Sequence, residues 1–307
     1  MGENKKKVLF IYNPKAGKSR IKTHLSDIID VFIQADYLVT VHSTQYPHEA
    51  VEIIGKTGND EYDLIICSGG DGTLDEVVTG MLLSGKTNPV GYIPAGSTND
   101  FAKSLNISTN MVEAAREITN ENIFQCDVGR FNEDVFVYVA AFGLFTEVSY
   151  STDQQMKNAL GHMAYILEGI KSLSSIKSYK LHIEGENVVQ DGEFIFGMIS
   201  NSNSVGGLKN VTGRDVELND GLFEVTLVKR PQNPIELNEI AAAFVTQKMD
   251  SKNITHFKTS WLKVESDEEL KWTLDGEYGG AFNRVLVKNE NKALSVLCGI
   301  SGEMIGD

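Results

Sequence analysis

The first 118 residues alternate short apolar runs with stretches of helical period, and few folds accommodate that pattern. The run Val8-Leu9-Phe10-Ile11-Tyr12 passes into Asn13-Pro14, as a buried strand entering a loop does. Ile21, Leu25, Ile28, Ile29 and Phe32 then recur at helical spacing and predict one apolar helix face. Residues 38–41 read as a second strand, 49–56 as a second helix, 64–67 as a third strand and about 74–83 as the helix after it. A fourth strand over 90–93 ends at Pro94-Ala95-Gly96, and 111–118 is helical again. Alternation of this kind predicts a parallel sheet with helices on both faces.

Near Val128 the pattern changes. Tyr179/Leu181/Ile183 and Phe223/Val225/Leu227 alternate with polar neighbours, and 261–264, 270–274 and 285–287 continue a series of strands. Two helical stretches interrupt it, at about 155–173 and 234–247. The second half therefore reads as a mostly antiparallel β domain with helical insertions. A chain of 307 residues is long enough for two cores, and we expect them over 1–128 and 129–292.

Composition narrows the function classes. A hydrophobic fraction of 41% and a charged fraction of 23% are those of an ordinary globular protein. No apolar run reaches the roughly 20 residues that span a bilayer. Lys5-Lys6-Lys7 is followed by an apolar run that stops at Asn13, too short for a signal-peptide core, so a cytoplasmic protein is expected. Cys67, Cys126 and Cys298 lie far apart in apolar surroundings and read as buried reduced thiols rather than a zinc site or disulfides. The six histidines show no metal or triad spacing. The net charge of −14 and pI near 4.9 argue against nucleic acid as a partner. Membrane contact through a local patch stays open.

Three loops carry chemistry. Ser68-Gly69-Gly70-Asp71-Gly72-Thr73 follows an apolar strand and precedes a helix. Glycines there let the backbone approach a phosphate, and the helix N-terminus offers N–H groups and a favourable dipole. Asp71 would repel that phosphate without an intervening cation, so a Mg²⁺-nucleotide complex is the natural ligand; the competing view is a tight turn with an acidic cap. A dinucleotide fingerprint fails, because its third glycine would fall at Asp75, and a P-loop fails because its first would be Tyr12. Asn13-Pro14-Lys15-Ala16-Gly17-Lys18 nevertheless sets a glycine and two cations directly after the first strand, and Pro94-Ala95-Gly96-Ser97-Thr98-Asn99-Asp100 ends the fourth. In a parallel sheet such loops open on the same carboxyl edge, so all three should converge.

Taken together, Asn13-Pro14-x-x-Gly17, Gly69-Gly70-Asp71-Gly72-Thr73-x-x-Glu76-Val77-x-x-Gly80 and Pro94-x-Gly96-x-x-Asn99-Asp100-Phe101-Ala102 resemble the diacylglycerol kinase catalytic-domain family. That family includes the bacterial soluble lipid kinases and the sphingosine kinases. Asp220-Gly221-Leu222 and Asp275-Gly276-Glu277 match its later motifs in order, so the resemblance covers nearly the whole chain. It implies an α/β domain like that of NAD kinases and phosphofructokinases, joined to a β-sandwich, with the active site in the cleft between them and the segment about 293–307 returning to the first domain.

The resemblance also implies roles. Asn13, Pro14, Lys15, Ala16, Gly17, Thr44, Gly70, Asp71, Gly72, Thr73, Leu74, Asp75, Glu76 and Ser97 would contact ATP. Asp71 and Asp100 would organise Mg²⁺ and water at the phosphates, and Glu277 would be the general base that deprotonates the lipid hydroxyl. A hydroxyl nucleophile needs such an acceptor within about 3 Å. Asp220, with the main-chain carbonyls of Glu217 and Leu222, would hold a second, structural Mg²⁺. Asp275-Gly276 and Asn219-Asp220-Gly221 read equally as simple turns.

The implied reaction moves the γ-phosphate of ATP to a membrane lipid hydroxyl, foremost that of diacylglycerol, giving phosphatidic acid. Phosphatidylglycerol, a sphingoid base or a polyprenol also offers a hydroxyl. A soluble acceptor such as NAD, or a non-catalytic lipid- or nucleotide-binding regulator, are the competing functions. Retention of Asp71, Asp100 and Glu277 together argues against the regulator. Transient peripheral membrane contact is implied, and an isologous homodimer is the default oligomer. The stripe Met156, Leu160, Met163, Leu167, Ile170 and Leu173 reads as a helix facing a core, with a substrate entrance as the alternative.

Overall fold

The structure, a computed structural model, describes residues 5–144, 176–206, 208–209, 216–247 and 251–299. The helix expected at 155–173, with its apolar stripe, lies outside them. The chain divides into two units, Met1–Cys126 with Lys292–Asp307, and Asp127–Asn291.

In the first unit β1 (Lys7–Tyr12), β2 (Leu38–Ser43), β3 (Leu64–Gly69) and β4 (Val90–Pro94) form a parallel sheet in the order β2-β1-β3-β4. The last residues of β15 (Glu277–Leu297) add to it, Val296 and Leu297 pairing parallel with Val90 and Gly91. Interior strands are buried on both faces, and Val8, Phe10 and Ile11 are fully inaccessible. β2 is the edge strand, and accordingly Leu38 and Val41 are exposed.

The helices are α1 (Ile21–Gln34), α2 (Glu49–Lys56), α3 (Asp71–Leu83), α4 (Asp100–Ser104) and α5 (Met111–Thr119). Ile21, Ile28 and Phe32 of α1 are buried, as the periodicity predicts. Two differences from the sequence reading have physical causes. α3 begins at Asp71, three residues before the apolar pattern starts, because Asp and Gly occupy its first turn despite their poor helix propensity. α4 was not visible in periodicity at all, since one turn is too short to show a period.

The second unit is built from strands. They are β5 (Ile123–Phe131, which begins in the first unit), β6 (Asp134–Phe136), β7 (Val139–Gly143), β8 (Tyr179–Gly185) and β9 (Val188–Ser200). β10 (Ser204–Val205), β11 (Leu208–Lys209), β12 (Phe223–Lys229), β13 (Ile254–Thr259), β14 (Trp261–Leu274) and most of β15 follow, with one helix, α6 (Pro234–Thr246). The main order is β13-β12-β9-β7-β14-β15, with β8 also between β9 and β14, β5 beside β15 and β6 beside β5. The ring of Phe136 on β6 nevertheless lies 5.5 Å from that of Phe223 on β12, at the far side of that order. The sheet must therefore fold over on itself, and its two layers enclose one core, the β-sandwich expected. Trp272 sits inside it, with Phe142 at 4.8 Å and Phe131 at 5.0 Å. Cys67, Cys126 and Cys298 are buried, and none of the three is in a disulfide. Among the described residues no helix is long and apolar enough to cross a membrane.

Candidate active site

Strand register lines up the loops of the first unit. Tyr12 lies opposite Ser43 on one side and Ser68 on the other, and Gly69 lies opposite Pro94. The residues leaving these strands, Asn13, Thr44, Gly70 and Ala95, therefore emerge side by side at the carboxyl edge. Backbone bonds tie them there. Asn13 N–H donates to Ser68 O (2.9 Å), Thr44 N–H to Tyr12 O (2.9 Å) and Ala95 N–H to Gly69 O (2.7 Å).

The loops touch so closely that side chains are excluded. A Cβ on Gly96 would stand 2.6 Å from the Cα of Gly70, and one on Gly17 would stand 1.7 Å from the Ala95 carbonyl oxygen. Gly17 also needs its left-handed φ of +49°. Asn13 closes its own turn by accepting from Lys15 N–H (2.9 Å), and its amide reaches Thr73 Oγ1 (3.4 Å). Lys15 and Lys18 are exposed on the same loop. Beneath, the buried Tyr92 hydroxyl donates to Gly69 O (3.2 Å) and lies 3.4 Å from Asn99 Oδ1. Burial first, and then the Asp71 charge, raises this phenol well above its ordinary value, so it remains a donor.

The carboxylates divide their work. Asp71, half-buried, accepts from the N–H of Asp100 (3.1 Å, Oδ2) and of Phe101 (3.4 Å, Oδ1), and so caps α4 from another element. Asp100 is buried, with Lys103 Nζ at 3.4 Å. The Asp71 carboxylate thus stands in the first turn of α3, whose N-cap Gly70 supplies no side-chain bond, with the start of α4 held against it. Glu76 accepts from His48 N–H (2.8 Å) and Ala50 N–H (3.3 Å), so its carboxylate caps α2. Leu74 and Thr73 are buried, and Ser97 is exposed at the loop tip. The Cys67 thiol is pushed upward mainly by burial, which makes it an inert core group.

In the second unit Asp275 and Gly276 are a two-residue hairpin turn between Leu274 and Glu277, at φ +49° and +86°. The Asp275 carboxylate is buried and accepts three main-chain N–H groups: Val137 (2.6 Å), Tyr138 (3.0 Å) and Val139 (2.9 Å). Glu277, the next strand residue, is exposed.

The Asp220 turn is tied down as well. Asp220 Oδ1 accepts from Leu222 N–H (2.9 Å), and buried Asp127 accepts from Gly221 N–H (2.7 Å) and from the Asn291 amide (2.9 Å). Lys258 Nζ lies 3.2 Å from Asp220 and 3.2 Å from Glu224. Glu217 precedes this turn, and among the described residues no group of three or more His, Cys, Asp or Glu could hold a metal ion. Sequence reasoning had not singled out Tyr92, Asp127, Glu224 or Lys258. Each is one polar side chain within a strand or at its end, and carries no local signature.

Two family models match the chain. Residues 7–131 match the diacylglycerol kinase catalytic domain, and 139–298 the YegS C-terminal NAD kinase beta sandwich-like domain. The chain is 33% identical over 276 residues to a diacylglycerol kinase of Bacillus subtilis (strain 168), covering 90% of this chain and 91% of that one. A diacylglycerol kinase of Staphylococcus haemolyticus (strain JCSC1435) is 32% identical over 271 residues, covering 88% and 82%. A crystal structure from Bacillus anthracis str. Sterne, provisionally identified as a diacylglycerol kinase, matches with a TM-score of 0.82 at 26% identity, covering 97% of each chain.

Proposed function

The chain belongs to the diacylglycerol kinase catalytic-domain family and is a kinase, and from that premise we propose that it transfers the γ-phosphate of ATP to the free hydroxyl of diacylglycerol, giving phosphatidic acid and ADP. The observation that carries the reading is the juncture of Gly70 with Gly96, where Asp71 caps the helix that begins at Asp100. It combines a close-approach backbone surface, an α3 N-terminus and the Asp71 carboxylate, which is what a Mg²⁺-bound polyphosphate calls for.

The Gly70 and Gly72 N–H groups at the start of α3 and the Gly17 N–H receive the phosphates, the Asn13, Lys15, Ala16 and Thr73 N–H groups being used to shape the loops, and Lys15 and Lys18 offset the phosphate charge. Thr44 and Ser97 contact the nucleotide from the flanking loops. Leu74, Asp75 and Glu76 support the turn from α3. Asp71 fits Mg²⁺ by its hard-oxygen donors and would hold it at the phosphates, with Asp100, which is buried against Lys103, organising the water there; when bound, the ion draws off charge that develops on the phosphoryl oxygens. Glu277 accepts the proton of the lipid hydroxyl as its oxygen bonds to the γ-phosphorus and the bond to the bridging β–γ oxygen breaks. Because the acceptor resides in a bilayer, the enzyme works there as a transient peripheral visitor from the cytoplasm. An isologous dimer is the expected oligomer.

The test is a panel of acceptors offered to the purified protein with radiolabelled ATP and Mg²⁺: dioleoylglycerol, phosphatidylglycerol, sphingosine and a polyprenol in mixed micelles, and NAD in solution. Labelled phosphatidic acid should dominate. Label entering NAD, or no turnover with any acceptor, would overturn the reading.

A further inference from the structure

Asp220, on which a second, structural Mg²⁺ would depend, already faces a cation supplied by the chain itself. Lys258 Nζ lies 3.2 Å from Asp220 Oδ2 and 3.2 Å from Glu224 Oε1. Strand register fixes it there, because Lys258 on β13 is the direct cross-strand partner of Glu224 on β12, and β12 starts right after the Asp220-Gly221-Leu222 turn. Both carboxylates are withdrawn from solvent, with side chains 19% and 4% exposed. Two carboxylates so placed need a positive partner within hydrogen-bond reach. Asp220 is engaged at both oxygens, Oδ1 accepting from Leu222 N–H and Oδ2 facing the Lys258 ammonium. The remaining groups that shape the turn are protein atoms too. Asp127 holds Gly221 N–H at 2.7 Å, and the Asn291 amide bridges Asp127 (2.9 Å) and Asn219 O (3.3 Å).

A Mg²⁺ ion wants about six oxygens in near-octahedral array. Here it would find the Asp220 and Glu224 carboxylates, both already facing the Lys258 ammonium, and the carbonyls of Glu217 and Leu222 that the resemblance assigns to it. Like charges at that separation repel strongly in a half-buried site. The donor set therefore does not fit a separate divalent ion while Lys258 stays in place. We propose that the Lys258 ammonium is the resident cation of the Asp220 turn, so that the turn keeps its shape without a divalent metal.

The inference does not depend on which substrate is phosphorylated, and its readout is stability. Thermal melting is measured in EDTA and in millimolar Mg²⁺, without nucleotide, for the wild type, Asp220→Asn, Lys258→Met and Lys258→Arg. Mg²⁺ should shift the wild type and Asp220→Asn equally, because any shift then arises at another site such as Asp71. In EDTA, Lys258→Met should melt about 5 °C or more below the wild type, having left two withdrawn carboxylates without a cation, whereas Lys258→Arg should stay close to it. A Mg²⁺-induced rise in the wild type that Asp220→Asn loses would overturn the proposal. So would a Lys258→Met protein that melts with the wild type in EDTA. Should Lys258→Met not fold, the comparison of wild type with Asp220→Asn decides alone.

Discussion

Two Asp-Gly pairs with the same letters do opposite work in this molecule. Asp71-Gly72 opens α3 at the edge of the parallel sheet, and the Asp71 carboxylate accepts from the N–H groups of Asp100 and Phe101, at 3.1 and 3.4 Å, while staying half-buried beside a helix N-terminus. Asp275-Gly276 turns a hairpin in the β unit, and the Asp275 carboxylate is buried under three N–H groups at 2.6 to 3.0 Å. In the proposed mechanism the first carboxylate faces the ligand. The second is committed to the fold, and the residue proposed for chemistry is its exposed neighbour Glu277. Burial, not the shared Asp-Gly letters, separates the two carboxylates: Asp275 is buried and Asp71 is only half-buried.

The sharpest way to break this contrast is to remove the two chemical groups. Asp71→Ala and Glu277→Ala should each abolish lipid phosphorylation, by at least about 10² to 10⁴-fold for the lost base. Glu277→Ala should melt with the wild type because the side chain is exposed. Asp71→Ala should lose only about 1 kcal/mol with its cap on α4. Wild-type-like turnover in either protein would sink the mechanism, and a large drop in melting temperature for Glu277→Ala would move Glu277 from chemistry to structure.

Asp275→Ala tests the other side. Three buried N–H groups would lose their acceptor at once, so a loss of about 3–5 kcal/mol in denaturant unfolding is expected. Turnover should fall as well, because the hairpin that carries Glu277 loosens. The pair then separates cleanly: Glu277→Ala loses activity alone, and Asp275→Ala loses both. An Asp275→Ala protein as stable as the wild type would show that its three short contacts are incidental.

Gly17→Ala comes next in size. The new methyl would collide with the Ala95 carbonyl oxygen, 1.7 Å away, at a backbone φ of +49°. The loop must move, which should cost about 1–3 kcal/mol and raise KM for ATP more than it lowers kcat. An unchanged KM would mean that the Asn13–Gly17 loop does not contact nucleotide.

How much of this was legible beforehand follows from the range of the interactions. The strand–helix alternation announced the parallel sheet because each strand's burial is written in consecutive residues, from Val8 to Ile11 and from Leu64 to Cys67. The three loops were legible because parallel topology alone forces them to one edge. Glu76 shows the limit: the motif marks it, yet only the structure reveals that it caps α2 through His48 and Ala50. Lys258 lies 38 residues from Asp220, and Asp127 lies 94 residues from Gly221. Pairings of that reach depend on strand register, which no short window contains.

The smallest effect supplies the control for Asp71, since Glu236 is also a carboxylate at a helix start. It completes a capping box on α6: Glu236 accepts from Gln232 N–H (2.7 Å) and the Asn233 amide (3.0 Å), while Asn233 Oδ1 accepts from Glu236 N–H (3.0 Å). The Gln232 N–H first, and then Lys252, lower its carboxyl to about 2 from the ordinary 4.5. A carboxylate with a depressed folded pKa contributes stability above the unfolded value and loses it as pH falls toward the folded one. The stabilisation from Glu236 should therefore be whole above about pH 4.5 and fade between there and pH 2. Glu236→Gln should flatten that part of the stability profile, and turnover at neutral pH should not change. Loss of turnover in Glu236→Gln would erase the distinction between a carboxylate that only caps a helix and Asp71, which caps one and faces a ligand.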